Sequence, residues 1–205
     1  MSEKRSRGRP ASEPVSTRAK LLAAAADVFN SDGYFGTDTN KIARAAGLAP
    51  ATFYRHFRDK KHVFQEAYAH WVAADWEIIE KAIGEGQTPR DRARAIVRAH
   101  SANHAKWVRF RLSMHALVAA DPEVRAFHLK TRGKQLARLR QLLESMGAPR
   151  HKPGDLLASF LCVERLSNAV TDGELEPLGI PRAQVLARVE REIVFQLTGR
   201  FSDSD

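Results

Sequence analysis

Two histidines that lie four positions apart, His100 and His104, form a residue pair in this 205-residue sequence that could bind a metal ion. This spacing places both imidazoles on one face of a helix, as in helical zinc motifs. The residues between them include no glutamate, and no clear third ligand is evident elsewhere in the sequence. The pattern therefore predicts no metal site, and no other cofactor is predicted.

Side chains that could support acid–base catalysis also occur, namely His104, His115 and Glu164. They do not form a catalytic motif of fixed spacing, and we find neither a glycine-rich phosphate loop nor a nucleophile elbow. Because Cys162 is the single cysteine, an internal disulfide is excluded. Cys162 lies on a predicted apolar helix and is expected to be buried in the protein core. A helical enzyme stays an alternative interpretation, but the sequence favours a protein that is not an enzyme.

A different chemistry is concentrated between residues 37 and 60. Thr, Tyr, Lys, Arg and His side chains in this segment are the types that hydrogen-bond to phosphates and base edges. Small residues at the start of a predicted helix would let its tip approach another surface closely. The candidate DNA-contacting residues of these types, together with the small residues at the tip, are Pro50, Ala51, Thr52, Tyr54, Arg55, His56 and Lys60.

The charge distribution also favours a polyanionic partner. The net charge is +9, and residues 1–62 hold 12 Lys and Arg against 6 Asp and Glu. Residues 63–205 hold 21 against 18, so most of the excess lies in the first third of the chain. Phosphate neutralisation by such a basic region releases counterions and drives binding.

Residues 1–16 are predicted to be a disordered basic arm, because they are charged and lack periodicity. Arg7 and Arg9 flank a glycine and precede a proline, as in the minor-groove core of an AT-hook. They are therefore added to the candidate DNA contacts. A nonspecific electrostatic tail is the alternative interpretation.

The remaining chain is predicted to be all-α. Leu21, Ala25 and Phe29 share one face of a helix that should end at Gly33. Thr37 or Thr39 can cap a short second helix, Pro50 can begin a third, and Asp59 can cap a fourth. This fourth helix is predicted at about 60–83, and further helices are predicted at about 89–106, 107–120, 122–146, 153–171 and 182–198. We expect a helix-turn-helix domain at 17–62 and a helical body at 63–205.

Together these features resemble the N-terminal domain of TetR/AcrR-type transcriptional regulators, over roughly residues 15–75. The residues that carry the resemblance are Gly33, Tyr34, Thr37, Ile42, Ala43, Ala46, Gly47, Leu48, Thr52, Phe53, Tyr54, His56, Phe57 and Lys60. The resemblance implies a helix-turn-helix at 38–57 whose recognition helix, about 50–56, enters the major groove. It also implies phosphate contacts from Thr37, Thr39 and Lys60, and Lys41 is added to the candidate DNA contacts.

Two positions in this domain differ among members of the family. Arg55 lies at a variable position and is our candidate for reading a base, although a solvated surface arginine is the alternative. Ala49 stands where these proteins often have Ser or Thr. The missing N-cap hydroxyl costs about 1 kcal/mol of helix stability.

The resemblance also implies that the body binds a small molecule and forms a dimer. The predicted pocket residues, each of which could instead be ordinary core, are Trp71, Trp76, His100, His104, Trp107, Phe110, Met114, His115, Phe127 and Phe160. In the family the last two long helices pair with their copies. The predicted dimer contacts, for which a monomer core is the alternative, are Leu157, Phe160, Leu161, Glu164, Val185, Val189, Ile193 and Leu197.

The sequence therefore predicts a cytoplasmic, ligand-responsive regulator, most simply a repressor that binds a palindromic double-stranded DNA operator as a homodimer. A small hydrophobic or aromatic effector would release it. No membrane partner is expected, because no apolar run approaches the roughly 20 residues that span a bilayer. An architectural DNA-binding protein of the same fold without an effector is the alternative.

We expect deletion of residues 1–12 to weaken DNA binding and to flatten its salt dependence, because fewer basic side chains would neutralise phosphates. Fluorescence anisotropy with labelled DNA over a series of salt concentrations measures this slope. A slope equal to that of the full-length chain would contradict the prediction.

Overall fold

A computed structural model describes residues 16–201, and this part of the chain consists of helices with no strand. The predicted all-α class is thereby confirmed. The helices are α1 (Thr17–Asp32), α2 (Thr39–Ala45), α3 (Pro50–Phe53), α4 (Lys60–Glu85), α5 (Pro89–Lys106), α6 (Val108–Ala120), α7 (Pro122–Ser145), α8 (Pro153–Thr171) and α9 (Arg182–Thr198), with a 3-10 turn at Glu176–Leu178.

Local sequence signals determine where the first four helices begin and end. Asp59 caps α4 by accepting a hydrogen bond from the His62 backbone N–H at 2.7 Å, as predicted. Gly33 ends α1 with φ of 71°, a conformation that glycine adopts without strain. The predicted threonine cap of α2 is wrong, because Asp38 accepts from the Lys41 N–H instead.

An aromatic cluster holds the first three helices against the body. Phe110 on α6 is fully buried, and its ring centroid lies 6.4 Å from that of Phe29 on α1 and 5.2 Å from that of Phe64 on α4. The same core continues through Phe53 on α3 and reaches Leu139 on α7. The helix-turn-helix segment and the body therefore share one hydrophobic core. The domain boundary at residues 62 and 63 stays a prediction.

A second apolar cluster lies between α5 and α9. Val189 and Ile193 are buried against Ala93, Ile96 and Val97 of the same chain. The prediction that the side chains of Val189 and Ile193 contact a second chain is therefore wrong. Both face α5, and burial within the chain removes them from the outer surface.

None of the helices within residues 16–201 combines the length and the apolar character needed to cross a membrane.

We expect Phe110→Ala to lower the free energy of unfolding by about 3–5 kcal/mol, because it removes the centre of the aromatic cluster. Urea unfolding at one fixed protein concentration measures the change. Phe35→Ala is the matched control, since that ring is 75% exposed, and it should change stability by no more than about 0.5 kcal/mol. A loss below about 1 kcal/mol for Phe110→Ala would contradict its place in the core.

Candidate DNA interface and effector cavity

The short helix α3 presents an exposed tip. Phe53 is buried beneath it and Phe57 follows it into the core, while Pro50, Ala51 and Arg55 are exposed. The predicted recognition helix of 50–56 is shorter than expected, because the α-helix ends at Phe53 and the next residues form a turn. Small residues at the tip leave room for close approach to another surface.

Tyr54 joins the two helices of the motif. Its side chain is 60% exposed, and its hydroxyl lies 3.0 Å from Oγ1 of Thr39 at the start of α2. Thr52 and His56 are half-buried beside it. Lys41 is exposed on α2 and its ammonium forms an ion pair with Asp32. These side chains line one exposed surface with α3, and their contacts with DNA stay a prediction.

Two of the predicted phosphate contacts have structural roles instead. The Thr37 side chain is buried, and its hydroxyl donates to the Gly33 carbonyl at 2.7 Å, so its hydroxyl is unavailable at the surface. Lys60 donates to the carbonyls of Tyr34 and Thr37, each at 2.9 Å. Partial burial accordingly lowers the pKa of Lys60. Both residues fix the loop before α2, and Arg7 and Arg9 lie outside the described residues.

A largely apolar cavity lies in the body and is lined by residues from each of the helices α4 to α9. Its walls include six of the residues that the sequence predicted: Trp71, Trp76, His100, His104, His115 and Phe160. The aliphatic lining comes from residues that were not predicted to line a pocket, although three of them, Val189, Ile193 and Leu197, were predicted as dimer contacts. Examples are Ile79, Ile96 and Leu139, whose apolar periodicity fits a cavity wall as well as a core.

The other four predicted pocket residues lie elsewhere. Phe110 and Met114 are fully buried in the aromatic core, and Trp107 packs at its edge. Phe127 lines a separate surface groove beside α7. These predictions were wrong because consecutive turns of α6 and α7 face different neighbours, which the residue types alone do not reveal.

One end of the cavity holds a buried polar cluster. The Asp75 carboxylate on α4 lies 3.1 Å from Nδ1 of His100 and 3.5 Å from Nε2 of His104, both on α5. Asn103 donates to the other carboxylate oxygen at 2.8 Å. Sequence analysis missed Asp75, since it lies on a different helix from the histidines and no motif links them.

The pKa values of both Asp75 and His104 are lowered in this cluster. Burial alone would raise the pKa of the Asp75 carboxyl, but His100 and His104 hold that pKa well below its usual range through charge and hydrogen bonds. Burial, reinforced by the neighbouring His100, lowers the pKa of His104 to about 4. A charged carboxylate therefore faces a neutral His104 at neutral pH.

Arg111 on α6 connects this cluster to α8. The guanidinium is buried and donates to Oδ1 of Asn168 and Oδ1 of Asp172, each at 2.5 Å. The same Asn168 oxygen lies 3.2 Å from Nδ1 of His104. The charge of Arg111 is balanced by Asp172, so the cavity wall contains a paired rather than an isolated cation.

The same helix α6 also contacts the helix-turn-helix segment. At its start, Arg109 donates to the Ser31 carbonyl at 2.7 Å, and the Phe110 N–H donates to the Asn30 side chain at 3.3 Å. One turn later, the Ser113 hydroxyl accepts from the Tyr34 N–H at 3.0 Å. Helix α6 therefore touches both the cavity and the end of α1.

The predicted dimer residues on α8 and α9 divide into outer and inner sets. Leu157 and Leu161 are 37% and 39% exposed and lie one turn apart on α8. Glu164, in contrast, accepts two hydrogen bonds from Arg132, at 2.6 and 2.8 Å, and lines the cavity. Phe160 and Leu197 also line the cavity, and Val185 is half-buried. Of the eight predicted dimer residues, Leu157 and Leu161 are the two that are exposed.

Residues 21–67 match the family model described as "Bacterial regulatory proteins, tetR family". The HTH-type transcriptional regulator AcrR of Shigella flexneri is 36% identical over 73 residues, which is 36% of this chain and 30% of AcrR. The HTH-type transcriptional repressor KstR2 of Mycolicibacterium smegmatis is 34% identical over 65 residues, which is 32% of this chain and 31% of KstR2. The match thus spans about a third of the length of these relatives.

The crystal structure of the transcriptional regulator FadR from Bacillus subtilis in complex with stearoyl-CoA superposes on most of the chain. The TM-score is 0.62 at 17% identity, and the alignment covers 88% of this chain and 98% of FadR. At this identity the likeness concerns the fold alone. It extends beyond the matched N-terminal domain into the helices that surround the cavity.

Residues 21–67 thus match the tetR family of bacterial regulatory proteins, and the relatives AcrR and KstR2 are HTH-type regulators. The N-terminal segment of the chain is therefore similar to TetR-family regulators in sequence, and the described helices share the fold of FadR.

Proposed function

We propose that the protein is a ligand-responsive transcriptional repressor that binds a palindromic DNA operator as a homodimer. The observation that carries this proposal is that α6 contacts both the end of α1 and the cavity wall, so a ligand can influence the helix-turn-helix segment. A small molecule with an apolar or aromatic body fits the largely apolar lining.

The α3 tip is the proposed DNA-reading element. Its small residues allow it to enter the major groove, where Arg55 can donate two hydrogen bonds to a guanine edge. Tyr54 and Thr39 lie beside it and can hydrogen-bond to phosphates, and α2 contributes the exposed Lys41 and Arg44. The exposed surface of this motif thus combines phosphate-contacting and base-contacting side chains.

Ligand release of DNA would follow from the contacts of α6. A molecule that fills the cavity presses on Arg111 and His115, which belong to that helix. A shift of α6 displaces Asn30 and Tyr34, and with them the orientation of α3. The ligand lowers DNA affinity to the extent that it binds the shifted state more tightly. An effector-free architectural protein would need no such connection.

The outer face of α8 supports the proposed dimer. Leu157 and Leu161 lie there, and both are exposed apolar side chains. Two-fold pairing through this surface would present two α3 tips to one duplex. The fitting separation of the tips is about 34–36 Å, one turn of DNA.

The test begins with footprinting of the DNA upstream of the protein's own gene, followed by anisotropy on the protected sequence. We expect Arg55→Ala to weaken specific binding by about 5- to 100-fold and to relax the base preference at one position of each half-site. Arg140→Ala is the matched control, because it removes the same charge from an exposed site on α7. Equal losses of DNA affinity in the two variants would show that Arg55 provides charge only. If footprinting finds no protected sequence, the proposed function is contradicted.

A second prediction concerns the dimer. We expect the double substitution Leu157→Glu and Leu161→Glu to yield monomers, because paired copies would bring like charges into an apolar contact. Light scattering coupled to size exclusion measures the mass. Leu129→Glu is the control, since this leucine is 60% exposed on a different helix, α7. A dimer that survives the double substitution, or that dissociates in the control, would place the interface elsewhere.

A further inference from the structure

We propose that Asp75, His100 and His104 bind a divalent transition-metal ion at the polar end of the cavity. All three side chains are buried, with 7%, 9% and 5% of their surfaces exposed. They come from two adjacent helices, α4 and α5. No other group of three or more His, Cys, Asp or Glu side chains with this arrangement occurs within residues 16–201.

The distances fit a shared ion. One ligand atom from each residue lies within 4.8 Å of the other two. The Asp75 Oδ2 atom is 3.1 Å from His100 Nδ1 and 3.5 Å from His104 Nε2. Two ligand atoms that are each about 2.1 Å from a metal ion lie about 3.0–3.4 Å apart in octahedral or tetrahedral geometry. Both carboxylate–imidazole distances therefore match an ion held between Asp75 and each histidine.

The hydrogen bonds around His104 leave a lone pair aimed at the carboxylate. Arg111 has only N–H donors, so the Asn168 atom 2.5 Å from its Nη1 must be the oxygen. Because His104 Nδ1 lies 3.2 Å from this oxygen, it carries the proton. Nε2 is then an acceptor that faces another acceptor, Asp75 Oδ2, and a cation between them resolves the conflict.

This arrangement is the one that surrounds metal-binding histidines in general. Such a histidine donates its second N–H to a neighbouring oxygen, which fixes the tautomer and the ring orientation. Here Asn168 has that role for His104. Asn103 holds Oδ1 of Asp75 at 2.8 Å and leaves Oδ2 for the ion.

His100 adds an independent sign that the cluster is incomplete without a ligand. Its Nε2 atom is buried and has no hydrogen-bond partner among the described residues. Its ring centroid lies 3.8 Å from that of His104, so both imidazoles face the same small region of the cavity. An ion bound by Nδ1 would leave the His100 Nε2–H as a donor for a molecule in the cavity.

The ligand set indicates the class of metal. Two imidazoles and one carboxylate suit Zn²⁺, Co²⁺, Ni²⁺ or Fe²⁺, whereas Ca²⁺ and Mg²⁺ prefer oxygen ligands alone. Three protein ligands leave at least one coordination position open. An oxygen or nitrogen atom of a cavity ligand could occupy it. That last step rests on the proposed function, whereas metal binding itself does not.

The test uses the untagged full-length chain after chelator treatment and dialysis. We expect Zn²⁺ to bind at one ion per chain in equilibrium dialysis, and Co²⁺ to give visible ligand-field absorption that Zn²⁺ abolishes. His100→Ala and Asp75→Asn should each weaken Zn²⁺ binding by at least about 10- to 100-fold. Circular dichroism verifies that each variant is folded, and Asp75→Asn preserves the shape of the side chain.

His115→Ala is the matched control, because His115 lines the same cavity but is outside the three-residue cluster. It should retain Zn²⁺ affinity within about twofold of wild type. A folded wild-type chain that binds neither ion stoichiometrically, or a loss in His115→Ala as large as in His100→Ala, would overturn the proposal. DNA binding measured without added metal is a separate readout, so failure of the regulator proposal is distinguished from failure of the metal proposal.

Discussion

The contact between the end of α1 and the start of α6 is the constraint on which the proposed function depends. Where α1 stops, Arg109 and the Phe110 N–H donate to the Ser31 carbonyl and the Asn30 side chain, and the Ser113 hydroxyl accepts from the Tyr34 N–H. The aromatic ring of Phe110 packs directly beneath them. Because polar contacts and core packing coincide here, α1 cannot reorient without movement of α6. The position of α3 is therefore tied to the helix that also lines the cavity.

Helix α4 provides a second rigid connection. At its start, Lys60 donates hydrogen bonds to the carbonyls of Tyr34 and Thr37 in the loop before α2. Further along, α4 contributes Trp71, Asp75 and Trp76 to the cavity wall. A 26-residue helix spans about 39 Å at 1.5 Å per residue. A metal ion between α4 and α5 would thus link the cavity chemistry to an element that extends to the DNA-binding segment.

The sequence predicted the helices well, because their boundaries depend on local signals. The ranges 89–106, 153–171 and 182–198 agree with the structure, and Asp59 and Gly33 have the expected capping roles. Side-chain direction was less predictable. Thr37 points inward because Gly33 offers its carbonyl, and Val189 points toward α5 rather than a partner. Apolar residue types do not distinguish burial within a chain from burial between chains.

The Asp75 cluster illustrates the same limit for a site. His100 and His104 share a helix face by periodicity, so the sequence identified them as a pair. Their contact with Asp75 depends on which turns of α4 and α5 meet, 25 residues apart along the chain. Helical periodicity specifies a face but not the relative register of two packed helices. Only the assembled structure brings the third ligand into view.

The most direct measurement of the central claim is the separation of the two α3 tips in solution. Spin labels at Arg58→Cys, in a Cys162→Ser background, report it by pulsed electron resonance. The account predicts that operator DNA narrows the distribution of separations toward about 34–36 Å and that a cavity ligand shifts it away. A distribution that never includes such separations, or that responds to neither DNA nor ligand, would contradict the account.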